Sequence, residues 1–142
     1  LKNIIAIASG FLDDANYGDN AKSSLIVRGL NEIKIIGMSE GAKEGTFYGL
    51  SGLGDLITTC YSKLSRNYTF GSLISHGYSI DKAKIKIGQT IEGIDTTRSA
   101  YEIGIKNQLE LPIINSIHKV IHKKYSAKKI ISELMSRDLK SE

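Results

Sequence analysis

Apolar residues recur along most of this chain at helical spacing, and the interruptions between them are glycine-rich or polar. Ile4, Ile5, Ala8, Phe11 and Leu12 predict a first helix over residues 4–12, with Asn3 placed to cap it. The stretch DDANYGDN at 13–20, rich in Asp, Asn and Gly, predicts a loop. Ala21, Leu25, Leu30 and Ile33 then share one face of a second helix that stops at Gly37. Gly29 inside it costs about 1 kcal/mol relative to alanine, so it marks a close helix approach.

Residues 39–55 hold Gly41, Gly45, Gly49, Gly52 and Gly54, which predicts short helices or turns. A helix follows from Ser65 to Ser75 and ends before His76 and Gly77. The segment SIDKAKIKIG at 79–88 could alternate as a strand at Ile85 and Ile87, or form a helix capped by Ser79; we favour the helix. Another helix spans 92–106, and Pro112 suits the first position of the next. There Ile113, Ile117, Val120 and Ile121 share a face. Ser126 caps a closing helix with Ile130, Ile131, Leu134 and Met135 as its apolar stripe. The pattern predicts one compact all-α domain over 1–142, without repeats or a low-complexity linker.

Composition adds limits. A chain of 142 residues can bury about two-thirds of its unfolded surface. One proline and no tryptophan, with long periodic runs, favour helices over a sandwich or barrel. The single cysteine, Cys60, excludes an internal disulfide and fits a reducing cytoplasm. No apolar run approaches a bilayer span, so membrane insertion is not expected. The first residue is Leu1, so the chain is expected to be a piece of something longer. A net charge of +4 points weakly to anionic partners, phosphorylated metabolites and nucleic acid among them.

Few residues carry candidate chemistry. Lys2 would ordinarily be a solvated surface lysine; as a proton acceptor it would need burial near another cation. Asp55, after Gly54, is most simply a helix-start acid, or else a group that holds a substrate hydroxyl or orients a lysine. Ser65, Arg66 and Asn67 are a better lead. With Ser65 as N-cap, backbone N–H groups at the helix start favour an anion and Arg66 can fork onto a phosphate, although a plain capped helix explains the same residues. His118 and His122 are four apart but have no third ligand at a recognisable spacing, so no metal site is expected. The basic run HKVIHKKYSAKK at 118–129 is interleaved with the apolar stripe, as on the wet face of an amphipathic helix, so nucleic acid is not expected as a partner.

Four segments occur together in an order that resembles NAD(P)-dependent glycerol-3-phosphate dehydrogenase, in its bacterial form. They are LKNIIAIASGF at 1–11, GDNAKSSLIVRGL at 18–30, SGLGDLITTCYSKLSRN at 51–67 and GQTIEGIDTT at 88–97. The likeness covers essentially the whole chain and is to the C-terminal, substrate-binding half. It implies an all-helical domain related to those of 6-phosphogluconate dehydrogenase-like enzymes. It also implies hydride transfer between NAD or NADP and C2 of sn-glycerol 3-phosphate, giving dihydroxyacetone phosphate, for glycerophospholipid synthesis in the cytoplasm. On this resemblance Lys2 is the catalytic base, and Asp55, Ser65, Arg66 and Asn67 bind substrate. Arg66, Thr90 and Glu92 touch the cofactor, Thr90 standing where the bacterial family usually has an apolar residue. Asn3 and Thr59 are secondary contacts to the lysine and substrate, and a homodimer is implied.

The family's Gly-x-Gly-x-x-Gly turn is not in this sequence, so the cofactor domain is expected to be missing and the chain alone inactive. The alternatives are the substrate domain of another polyol-phosphate or 3-hydroxyacid dehydrogenase, and a helical anion-binding or dimerisation module.

Overall fold

A computed structural model of the chain describes residues 1–14, 17–43 and 50–141. All regular structure among them is helical: α1 (Lys2–Asp14), α2 (Gly18–Ser39), α3 (Leu50–Tyr61), α4 (Arg66–Ser75), α5 (Ile80–Ile87), α6 (Glu92–Lys106), α7 (Pro112–His122) and α8 (Ala127–Ser141). The all-α expectation holds, and residues 79–88 are helical. Ser79 caps α5 by accepting from the Lys82 amide at 3.2 Å, and Gly88 closes it at a φ of 69°. Ser65 and Ser126 cap α4 and α8 in the same way, and Pro112 opens α7.

Several boundaries differ from the sequence pattern. Asn3 lies inside α1 rather than capping it, since the helix begins at Lys2. α1 continues to Asp14 and α2 begins at Gly18, so the expected loop at 13–20 is short. α2 also runs past Gly37 to Ser39, and a glycine without positive φ does not stop a helix. Gly52 and Gly54 lie within α3, which moves Asp55 from a helix start to a helix interior. Of the other glycines in that stretch, Gly41 takes a φ of 95° after α2, while Gly45 and Gly49 fall outside the described residues.

α1 is the central element. Residues 4–12 are buried on every side, as expected of a helix apolar all round. α4 runs parallel to it, Gly71 sitting on the Ile7 carbonyl and the Ser75 hydroxyl donating to the Phe11 carbonyl at 3.2 Å. Two glycines set this distance. A Cβ on Gly10 would come within 2.2 Å of the Tyr68 carbonyl oxygen, and one on Gly71 within 2.1 Å of the Ile7 carbonyl oxygen. On another side, a Cβ on Gly29 would meet the Ile5 side chain at 2.8 Å, which is the close approach expected for that residue. Fully buried Phe11 and Phe70 each contribute about 1.5–3 kcal/mol to this core.

α7 is anchored differently. Its first amides, on Ile113 and Ile114, donate to the two carboxylate oxygens of Glu32 at 2.8 and 3.1 Å. Glu32 is buried in α2, so a charge from one helix fills the unsatisfied N-terminus of another.

Candidate active site

Because α1 and α4 are parallel, their N-terminal ends lie at the same end of the molecule. α6 brings a third start there. A Cβ on Gly93 would lie 2.5 Å from Asn67 Oδ1, 2.7 Å from Ile7 Cδ1 and 3.2 Å from the Asn3 carbonyl oxygen. Only glycine lets α6 seat this deeply. The Gly93 amide then donates to Asn67 Oδ1 at 2.8 Å, a buried bond that ties α6 to the first turn of α4. Three helix starts gathered at one end present backbone N–H groups and a positive potential suited to an anion.

The polar side chains of this end meet in pairs. Lys2 Nζ donates to Asp55 Oδ2 at 2.6 Å, joining α1 to the middle of α3. Their side chains are 45% and 54% exposed, so Lys2 lacks the burial that a base reading from sequence would require, and its ion-pair partner is an anion. Asn3 Nδ2 donates to Glu92 Oε2 at 3.3 Å, so the residue expected to cap α1 instead reaches the first residue of α6.

Ser65 is the N-cap expected of it, accepting from the Tyr68 amide at 3.3 Å, and Arg66 follows at the first helical position with its side chain exposed. Thr59 turns its hydroxyl back to the Asp55 carbonyl at 2.7 Å, inside α3. Thr90 is exposed in the link before α6, where a cavity of about 250 Å³ is lined by Lys84, Gln89, Thr90, Ile91, Ile94 and Asp95. A larger cavity of about 650 Å³ lies at the other end of α4, among Ile74, Tyr78, Ile80, Val120 and Tyr125, away from these residues.

Sequence reasoning passed over Gly93 and Lys22. Lys22 is 5% exposed, with Nζ 4.4 Å from the Tyr61 ring centroid and 4.7 Å from that of Tyr68. Its spacing from Leu25, Ile26 and Gly29 places it on the inward face of α2, and that spacing was the available signal. Burial pushes the nearby Cys60 thiol up, while the Ser9 hydroxyl and Lys22 pull it part of the way back.

The two histidines of α7 are used in packing. His118 stacks on Tyr101 with ring centroids 3.7 Å apart, and His122 meets the Ile94 carbonyl through Nε2 at 3.0 Å and Arg98 through Nδ1 at 3.3 Å. Among the described residues no helix is long and apolar enough to cross a membrane.

In this all-helical domain the buried first helix delivers Lys2 and Asn3 to a cluster of helix starts. The comparisons specify it further. A family profile described as the C-terminus of NAD-dependent glycerol-3-phosphate dehydrogenase matches residues 1–132, and the chain belongs to that family. The glycerol-3-phosphate dehydrogenase [NAD(P)+] of Chlamydia abortus is 46% identical over 142 residues, which are all of this chain and 42% of that enzyme. The enzyme of the same name from Staphylococcus aureus is also 46% identical, with 43% of its length covered. A crystal structure of glycerol-3-phosphate dehydrogenase from Coxiella burnetii superposes with a TM-score of 0.90 at 37% identity, over 94% of this chain and 41% of that one. The corresponding enzyme of Dunaliella salina gives 0.79 at 27% identity, over 93% and 27%. The chain thus spans less than half the length of the curated relatives that it matches.

Proposed function

We propose that this chain is the substrate-binding part of an NAD(P)-dependent glycerol-3-phosphate dehydrogenase, which interconverts sn-glycerol 3-phosphate and dihydroxyacetone phosphate for glycerophospholipid synthesis. The observation that carries this reading is the Lys2–Asp55 pair standing at the same end as the capped start of α4. In this reading Ser65, Arg66 and Asn67 hold the phosphate, with the helix start supplying N–H donors and Arg66 a bidentate charge. Lys2, aimed by Asp55, acts in its neutral amine form: it takes the proton of the C2 hydroxyl as the alcohol is oxidised, and the resulting ammonium returns it when the ketone is reduced. Anchoring the phosphate fixes C2 against the lysine. Asn3 and Thr59 line the same end.

A bound nicotinamide supplies the hydride acceptor. Arg66, Thr90 and Glu92 are all exposed and offer it a polar rim. The cavity of about 250 Å³ beside Thr90 is below the ~300–1,000 Å³ of ordinary ligand pockets, which fits contact with only part of a dinucleotide. The chain alone is therefore proposed to be inactive, and a cytoplasmic location, with which the buried free Cys60 is compatible, and a homodimer belong to the same reading.

An NMR titration of the chain with glycerol 3-phosphate, against glycerol and inorganic phosphate, tests the site. Shifts at Asp55 and residues 65–67 with the phosphate ester, absent with glycerol, are expected. Equal responses to glycerol, or shifts confined to the cavity near Tyr78 and Tyr125, would overturn the assignment.

A further inference from the structure

We infer that Lys22 is a positioning residue that clamps the Tyr61 and Tyr68 rings and thereby fixes the first turn of α4, the turn that bears Arg66 and Asn67. Its relevance to substrate rests on the reading just proposed. Tyr61 is the last residue of α3 and Tyr68 lies in the first turn of α4, so only residues 62–67 separate them. That connection has little apolar anchorage of its own, since Lys63 is exposed and Leu64 is 94% exposed. The Asn67–Gly93 bond holds one point of it, and the rest of the fixing comes from its two ends.

Lys22 meets both ends at once. Its ammonium is within cation–π range of each ring, at 4.4 and 4.7 Å, and it is buried, where such attraction is strongest. The next residue, Ser23, shares a hydrogen bond with the Tyr61 hydroxyl at 3.4 Å, so α2 grips that ring twice. Tyr68 transmits the hold to the site. Its amide bonds the Ser65 cap, and its carbonyl packs on Gly10 of α1. A methionine of similar length would fill the same space without the charge. Lysine, with a cation that faces two rings, is the residue this geometry calls for.

The test uses the chain with Lys22→Met and Lys22→Arg. In the parent, the Lys22 ε-methylene protons should resonate upfield through the ring currents of Tyr61 and Tyr68. Lys22→Met should speed amide hydrogen exchange at Tyr68 and Thr69 about tenfold while the α7 amides are unchanged, and Lys22→Arg should keep the parent rates within about threefold. Tyr61→Leu, which removes one partly exposed ring, should give a smaller rise at the same amides and covers the case in which Lys22→Met does not fold. Unshifted ε-methylene protons, exchange that rises evenly over all helices or not at all, or an arginine variant as impaired as methionine would overturn the assignment. Affinity for glycerol 3-phosphate should fall about tenfold in Lys22→Met and recover in Lys22→Arg. If the parent chain itself shows no affinity, the substrate reading fails, and exchange at Tyr68 and Thr69 still decides what Lys22 does.

Discussion

Lys2 Nζ lies 2.6 Å from Asp55 Oδ2, and these two residues, on different helices, are 53 positions apart in sequence. Both side chains are about half exposed, and exposed ion pairs contribute only about 0–1 kcal/mol. The pair is therefore poorly placed to serve stability, which suits the chemical role proposed for it. Lys2→Met and Asp55→Asn should each move the Tm of the chain by no more than about 4 °C in calorimetry. On the proposed function, Lys2→Met in a full-length glycerol-3-phosphate dehydrogenase carrying this sequence should lower kcat at least about 100-fold. A large loss of Tm with little loss of turnover would reverse the assignment.

The Asn67–Gly93 bond makes the opposite prediction, since it is buried. Asn67→Ala leaves the Gly93 amide without its partner, which should cost about 1–3 kcal/mol. Gly93→Ala drives a methyl into Asn67 and Ile7 and should cost a similar amount by overpacking. Urea unfolding checks both values. On the proposed function, affinity for glycerol 3-phosphate should also weaken with either change.

Glu32 offers a graded test of helix capping. Its carboxylate accepts one amide on each oxygen, so Glu32→Gln keeps one acceptor and Glu32→Ala keeps none. The alanine variant should lose about 2 kcal/mol or more and the glutamine variant less, as read from urea midpoints. Equal losses would show that the two bonds are not separable.

His118 gives the fold a sensitivity to acid. Burial, with His122, Lys123 and Arg98 close by, lowers its proton affinity below the ordinary histidine value of about 6.5, and Glu102 opposes this only in part. The unfolded chain then binds a proton that the folded chain refuses. Its contribution to stability is complete above about pH 6.5, and it is lost as pH falls from there towards the lowered folded value. The drop in Tm between pH 7 and pH 5 should be smaller in His118→Phe, which keeps a ring against Tyr101.

Helix order and faces were legible in the sequence because apolar spacing and serine caps act locally. Ser65, Ser79 and Ser126 all cap the helices expected of them. Glycine was the misleading signal. Gly52 and Gly54 looked like a turn yet lie inside α3, and Gly37 did not stop α2, because tertiary packing outweighs a cost of about 1 kcal/mol per residue. Of the candidate site, the Ser65 cap with Arg66 beside it was legible locally, and the rest only through family resemblance. No local pattern indicates that Lys2 will meet Asp55 or that Asn3 will reach Glu92, since both pairings depend on how distant helices cross. Gly93 and Lys22 lie within segments that carry the resemblance, and the spacing of Lys22 put it on an inward face, but their particular roles arise from what the fold brings against them.

The glycine contacts between α1 and α4 have a further consequence for specificity. Parallel neighbours set like poles side by side, an arrangement that antiparallel bundles avoid by cancellation. Gly10 and Gly71 hold the two backbones together against that repulsion. The attraction for a negative group is thus partly a property of the main chain. It cannot be titrated, and no single side-chain replacement at these helix starts removes it. Variants at Arg66 would retain a residual preference for anions over neutral polyols at every pH where the helices stay folded.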